Sequence, residues 1–215
     1  MICTKGRRLI QVQVPATEGH AQFTVKGSKF IGALFPVVSE DDVASQLHAV
    51  RKKYFDATHN CYAWRLYPDL EKSSDDGEPS GSAGKPILQV LSGAGLHNAL
   101  VVVTRYFGGT KLGVGGLVRA YGDAARAAIE DAPVRQLISV TRATIGVTFD
   151  EMSRLYHVVD RTNGVRIEAE QYTDTGPVFS LRIASEGMIS LTDVLREALN
   201  REPQWTIVEE RLDQI

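Results

Sequence analysis

Val103-Thr-Arg-Tyr-Phe-Gly-Gly-Thr-Lys-Leu-Gly-Val-Gly-Gly-Leu-Val-Arg-Ala-Tyr121 joins an apolar run, Ala99 to Val103, to an alanine-rich stretch with helical period. A strand feeding a glycine loop and then a helix aims free backbone N–H groups and the positive end of a helix dipole at one place. That place suits an anion. With Arg105 and Lys111 beside Gly108, Gly109, Gly113, Gly115 and Gly116, the anion favoured is a phosphate or an RNA backbone. The same glycines also serve tight packing and turn geometry, and this reading stands beside the first. The loop is no Walker A, and Gly113-Val-Gly115-Gly116 does not match G-x-G-x-x-G, so no nucleotide specificity follows.

Outward from this unit, Leu117 to Asp131 predicts a helix whose face of Leu117, Tyr121, Ala124, Ala125, Ala128 and Ile129 is small enough to lie close on a sheet. Upstream, Pro86 opens a helix ending near Gly93 or Gly95, and Asn60 to Tyr67 reads as a strand buried on both faces. Between them, Pro68 to Lys85 reads as a long loop. Ser39 caps a helix reaching Tyr54, with acidic Glu40, Asp41 and Asp42 first and basic Arg51, Lys52 and Lys53 last. Three strands precede it, at 9–14, 21–26 and 30–38, giving βββαβαβα for the first part.

Asp131-Ala-Pro133 marks the break, dividing residues 1–134 from 135–215. Beyond it come a strand at 138–149, a helix capped by Asp150 and stopped at Asn163-Gly164, strands at 165–172 and 178–183, a helix carrying Leu191, Leu195 and Leu199, and a last strand at 205–208. This βαββαβ order is that of a ferredoxin-like domain.

Composition sets the remaining bounds. The 215 residues are 43% apolar with a net charge of −2, enough for one large or two small cores and outside the strongly basic class. The charge is uneven: residues 1–134 carry 15 Lys/Arg against 13 Asp/Glu, or +2, and residues 135–215 carry 9 against 13, or −4. A phosphate-binding face therefore belongs to the first part. Cys3 and Cys61 are too few for a disulfide framework, which suits a reducing cytosol. The basic start, Met1 to Arg8, lacks an apolar core, and no run approaches a membrane span, so a soluble, unprocessed, cytoplasmic protein is expected.

Ser74-Asp-Asp-Gly-Glu-Pro-Ser-Gly-Ser-Ala-Gly-Lys85 is the second cluster. Asp75, Asp76 and Glu78 have the chemistry of cation ligands or acid–base groups, and Ser80, Ser82 and Lys85 that of phosphate contacts; a solvated turn-rich loop has the same composition. No EF-hand, HExxH or His/Cys/Cys spacing is present, so neither metal nor cofactor is expected. His59 and Cys61, alternate on a strand, lack a third group to orient a nucleophile, and Cys61 is most simply a core residue. Tyr62, Trp64, Tyr106 and Phe107 suit either core packing or base stacking.

Four segments resemble the IMPACT family, in particular its bacterial YigZ-type members: Ser28-Lys29-Phe30-Ile31, His59-Asn-Cys-Tyr-Ala-Trp64, Asp75 through Pro86, and Val103 through Tyr121. The resemblance implies an α+β protein of two domains. The first would have the left-handed βαβ fold of the ribosomal-protein second-domain type, shared with GHMP kinases and domain IV of elongation factor G. The second would resemble the ferredoxin-like domains III and V of that factor. It implies a role in translation, since eukaryotic relatives regulate translation in amino-acid starvation through protein contacts. No GHMP-type phosphate loop is matched, so kinase activity is not carried over.

The reading that follows is a translation-associated protein binding RNA or a ribosomal surface, with neither DNA nor membrane as partner. Arg105, Gly108, Gly109, Lys111, Gly113, Gly115, Gly116 and Lys85 form its anion site, and Asp76 and Glu78 organise the loop by bonding Lys85 or backbone N–H groups. Two alternatives stand: a hydrolase or phosphotransferase using Asp76 and Glu78 beside the glycine loop, and a protein-interaction module without nucleic-acid contact.

Overall fold

The computed structural model describes residues 11–184 and 187–214. Met1 to Arg8, Cys3 and the first two residues of the strand expected at 9–14 lie outside them. The chain separates into two compact units, Gln13–Arg135 and a second built mainly from Gln136 onward. Each is a layered α+β unit with one antiparallel five-stranded sheet.

In chain order the first part runs β1 (Gln11–Pro15), β2 (Gly19–Val25), β3 (Ser28–Pro36), α1 (Glu40–Lys53), β4 (His59–Leu66), β5 (Leu70–Ser74), α2 (Gly84–Gly93), β6 (Ala99–Tyr106) and α3 (Val114–Glu130). Its sheet is ordered β2-β3-β6-β4-β5. The central strand β6 explains its own composition. One face, with Leu100 and Val102, packs against Val43, Leu47 and Val50 of α1, while Val101 and Val103 meet Ile87 and Leu91 of α2 and Tyr121 and Ala124 of α3. A strand covered on both faces has no reason to alternate polar and apolar residues.

Small residues let α3 come close to the sheet. A Cβ at Gly32 would lie 2.5 Å from the Ala124 carbonyl oxygen, and one at Gly19 would lie 2.1 Å from that of Ala128. Ser39 caps α1 as expected, its Oγ accepting from the Asp42 N–H at 3.1 Å.

Several boundaries depart from the sequence reading; the strand expected at 138–149 lies at Val134–Gly146, and the strand expected at 205–208 runs to Gln214. Leu70–Ser74, expected as loop, is the edge strand β5, paired to β4 from Leu66↔Leu70 to Tyr62↔Ser74. It has no buried position, so no apolar alternation betrays it. Helix α3 starts at Val114 rather than Leu117, which moves Gly115 and Gly116 out of the loop and into its first turn. Asp150 does not cap the next helix; that position belongs to Glu151, whose Oε2 accepts from the Thr148 N–H at 3.0 Å.

The second unit runs β7 (Val134–Gly146), α4 (Met152–Arg161), β8 (Val165–Thr173), β9 (Gly176–Ala184), α5 (Gly187–Leu199) and β10 (Trp205–Gln214). The strand order β10-β7-β9-β8 is ferredoxin-like, with β1 joining the same sheet beside β7. Leu155 and Val159 of α4 and Leu191 and Leu195 of α5 share one core with Ile145, Phe179, Leu181 and Ile183, so both helices cover one face. Ion pairs of Arg142 with Glu168 and Arg182 with Asp213 belong to residues outside that core.

Candidate functional site

Strand register gathers the four sequence motifs at one end of the first sheet. Arg105, near the end of β6, lies opposite Phe30 of β3 on one side and His59 of β4 on the other. Its side chain points to the α2 and α3 face, where the residue is only 5% exposed. The guanidinium carbon lies 5.6 Å from the Phe30 ring centre and 5.5 Å from that of Phe107. A buried cation among rings needs a counter-charge, and Glu78, reached from the acidic loop, supplies it: Nη1 donates to Oε1 at 2.6 Å. The same oxygen accepts from the Tyr121 hydroxyl of α3 at 2.7 Å. One carboxylate thus ties the acidic loop to the central strand and to the helix that follows the glycines.

The network extends on both sides. Ser28 Oγ accepts from Arg105 Nη2 at 3.3 Å and from the Gly108 N–H at 3.1 Å, fixing the entry to the glycine loop. His59 donates from Nδ1 to the Asp76 carbonyl at 2.7 Å, and its Nε2 lies 3.8 Å from Glu78 Oε1. Burial raises the Tyr121 hydroxyl pKa far above its ordinary value, with Cys61 and Glu78 adding to the rise, so the phenol stays protonated and donates.

Asp75, not among the residues expected to organise the acidic loop, shapes it together with Asp76 and Glu78. Its Oδ1 accepts from the N–H groups of Ala83 and Gly84 at 2.9 and 2.8 Å, its Oδ2 from that of Gly81 at 2.8 Å. It serves as a cap for α2, at whose start no local side chain does so. Partial burial works to raise the Asp75 pKa, but these three N–H groups outweigh it and hold the carboxyl below its ordinary range. Asp76 Oδ2 accepts from the Asn60 N–H at 2.7 Å. Neither Asp76 nor Glu78 bonds Lys85, which stands exposed in the first turn of α2.

Cys61 is confirmed as a core residue. Burial, with the charges of Glu78, Asp76 and Asp75 adding to it, pushes its thiol pKa up to about 12, and Sγ donates to the Asp75 carbonyl at 3.0 Å. A thiol held protonated is a poor nucleophile. The carboxylates are likewise occupied, and among the described residues no cluster of three His, Cys, Asp or Glu is arranged for a metal. Of the aromatics weighed for stacking, Trp64 is buried and Phe107 is 48% exposed.

The glycine loop divides by role. Gly108 is a packing glycine: a Cβ there would lie 1.9 Å from the Gly27 carbonyl carbon in the turn between β2 and β3. Gly109 and Gly113 have φ of +83° and +74° with open space around them. Gly115 is helical and meets nothing within 4 Å, so neither its backbone nor its neighbours ask for glycine. Gly113 caps α3 with no side-chain bond to its first turn. Lys111 is exposed, and so is Lys26, beside the Gly27 that packs on Gly108. Neither lysine has an ion-pair partner among the described residues.

Of the residues the sequence reading gave to an anion site, Lys85 and Lys111 are exposed and Arg105 is buried. Arg105 is taken up inside the protein by Glu78, which excludes it as a direct contact for an external phosphate in this arrangement. Lys26 was missed because nothing in a turn lysine announces that its neighbour packs on Gly108. Asp75 carried no local cap pattern, since it stands eight and nine residues before the Ala83 and Gly84 N–H groups it accepts from.

The Impact N-terminal domain model matches residues 26–129, which hold every residue of this network. A Thermus thermophilus protein named "IMPACT family member in pol 5'region" is 39% identical over 81% of this chain and 97% of its own. Escherichia coli (strain K12) "IMPACT family member YigZ" is 32% identical over 73% of this chain and 79% of its own, and human "Protein IMPACT" 34% over 47% and 33%. A crystal structure of a hypothetical protein superposes with a TM-score of 0.64 at 26% identity, covering 94% of this chain and 98% of that one. The likeness to the two bacterial proteins runs well past the network-bearing half into the second unit, and on that extent the chain belongs to the IMPACT family.

Proposed function

We propose that this protein acts in translation in the cytosol by binding RNA, on the ribosome or exposed from it, at the end of the first sheet where β6 meets α3. The observation that carries the reading is the pairing of open backbone with unpaired charge. Gly109, Gly113 and Gly115 leave the loop and the start of α3 uncovered, Lys111 lies within that loop and Lys26 next to the Gly27 that packs on it, and among the described residues neither lysine has a carboxylate partner. Helix starts with lysines nearby favour phosphates. Arg105 and Glu78 act one layer down, holding the loop in place. The translational role is the one that resemblance to the IMPACT family implies.

The hydrolase or phosphotransferase reading asks Asp76 and Glu78 to be available to a substrate. Glu78 is buried and bonded to Arg105 and Tyr121, and Asp76 accepts from the Asn60 N–H, which weighs against that reading.

Co-sedimentation with ribosomes tests the proposal. The wild-type chain is expected in the ribosomal pellet at low salt and to leave it as salt rises, and Lys26→Ala with Lys111→Ala is expected to stay in the supernatant. Equal pelleting of both proteins, unaffected by salt, would rule this surface out.

A further inference from the structure

Phe107 sits at the mouth of this loop, 48% exposed. A lone exposed aromatic is ordinary on a protein surface; Phe55 and Phe149 are more exposed still. Phe107 differs in being held. Its own N–H donates to Thr58 Oγ1 at 3.0 Å, and the next N–H, of Gly108, donates to Ser28 Oγ at 3.1 Å. The Arg105 guanidinium lies against the ring at 5.5 Å and is itself fixed by Glu78 and Ser28. The ring is therefore presented with its backbone clamped on both sides and a cation behind it. Lys111 follows four residues on, past the uncovered Gly109, and Lys26 adjoins the Gly27 that packs on Gly108; neither lysine has an ion-pair partner among the described residues.

We infer that Phe107 is a stacking platform for an unpaired base of single-stranded RNA, with Lys26 and Lys111 taking the adjoining phosphates. This rests on the RNA-binding reading above and narrows it. A ring on a fixed backbone with a guanidinium against it has less freedom to lose on binding, which favours a sequence-tolerant stacking contact. Base pairs in a duplex keep their faces stacked on one another, so a duplex offers this ring nothing comparable.

The test uses the full chain with a ten-nucleotide oligo(A) strand and an RNA duplex of equal length at one low salt concentration. Phe107→Leu keeps an apolar cover over Arg105 but removes the aromatic face. It is expected to weaken oligo(A) binding about 5- to 100-fold and leave duplex binding unchanged, while Phe107→Tyr restores the single-strand affinity. In Phe107→Trp, oligo(A) is expected to quench the added indole fluorescence. If Phe107→Leu binds oligo(A) as wild type does while the double lysine variant is weakened, stacking is wrong and RNA binding stands. If wild type binds neither RNA, both readings fall. Unfolding midpoints of each variant, expected near wild type, separate loss of contact from loss of fold.

Discussion

Glu78 and Arg105 are both nearly closed to solvent, with side-chain exposures of 3% and 6%, and each is the other's counter-charge. Removing one member of such a pair strands the other. Glu78→Ala is expected to destabilise the protein by about 3–5 kcal/mol in urea unfolding, and adding Arg105→Met should recover part of that loss. Losses that simply add would mean the pair is not coupled. Asp75 gives a second residue-level expectation. Its folded carboxyl titrates below the ordinary value, so its contribution is complete above about pH 4 and fades as pH falls through the folded value. Asp75→Asn places an amide N–H group against a backbone donor and is expected to cost about 1–3 kcal/mol at pH 7. The deficit should shrink as the pH is lowered toward 2, because wild type then loses the same advantage. Glu151, held down to about 2 chiefly by Arg201, imposes a parallel acid sensitivity on the second unit that this variant keeps.

The elements show where sequence pattern carries information and where it stops. Period and cap mark α1, Pro86 and the apolar residues after it mark α2, and an unbroken apolar run marks β6, buried on both faces. The edge strand β5 stayed hidden because its pairing uses backbone groups that every residue has. The role of Arg105 stayed hidden because burial at the end of β6 depends on register with Phe30 and His59 and on Glu78 reaching across from 27 residues away. The glycines divide on the same ground, and two of them offer a contrast. Gly108→Ala must push the β2–β3 turn aside and is expected to cost 1–3 kcal/mol or more by the order-of-magnitude cost of overpacking. Gly115→Ala meets open space in a helix and is expected to leave thermal stability unchanged or raise it by up to about 1 kcal/mol. If a ligand backbone approaches Gly115, this variant is the one whose RNA affinity falls while its stability does not.

At the scale of the whole molecule, residues 1–134 carry a net +2 and residues 135–215 a net −4. An acidic unit repels phosphate, so RNA contact by this protein is expected to be local, confined to few phosphates and sensitive to single lysines. The second unit's ferredoxin-like sheet was readable from element order alone, whereas the end of the first sheet brings four separated segments together only on folding. The salt dependence of RNA affinity measures that site most directly. For wild type on single-stranded RNA, log K is expected to fall linearly with log salt, and Lys26→Ala with Lys111→Ala should flatten the slope by about 1.4, at about 0.7 per lost phosphate contact. An identical slope and affinity in the double variant would contradict the assignment of this surface to RNA.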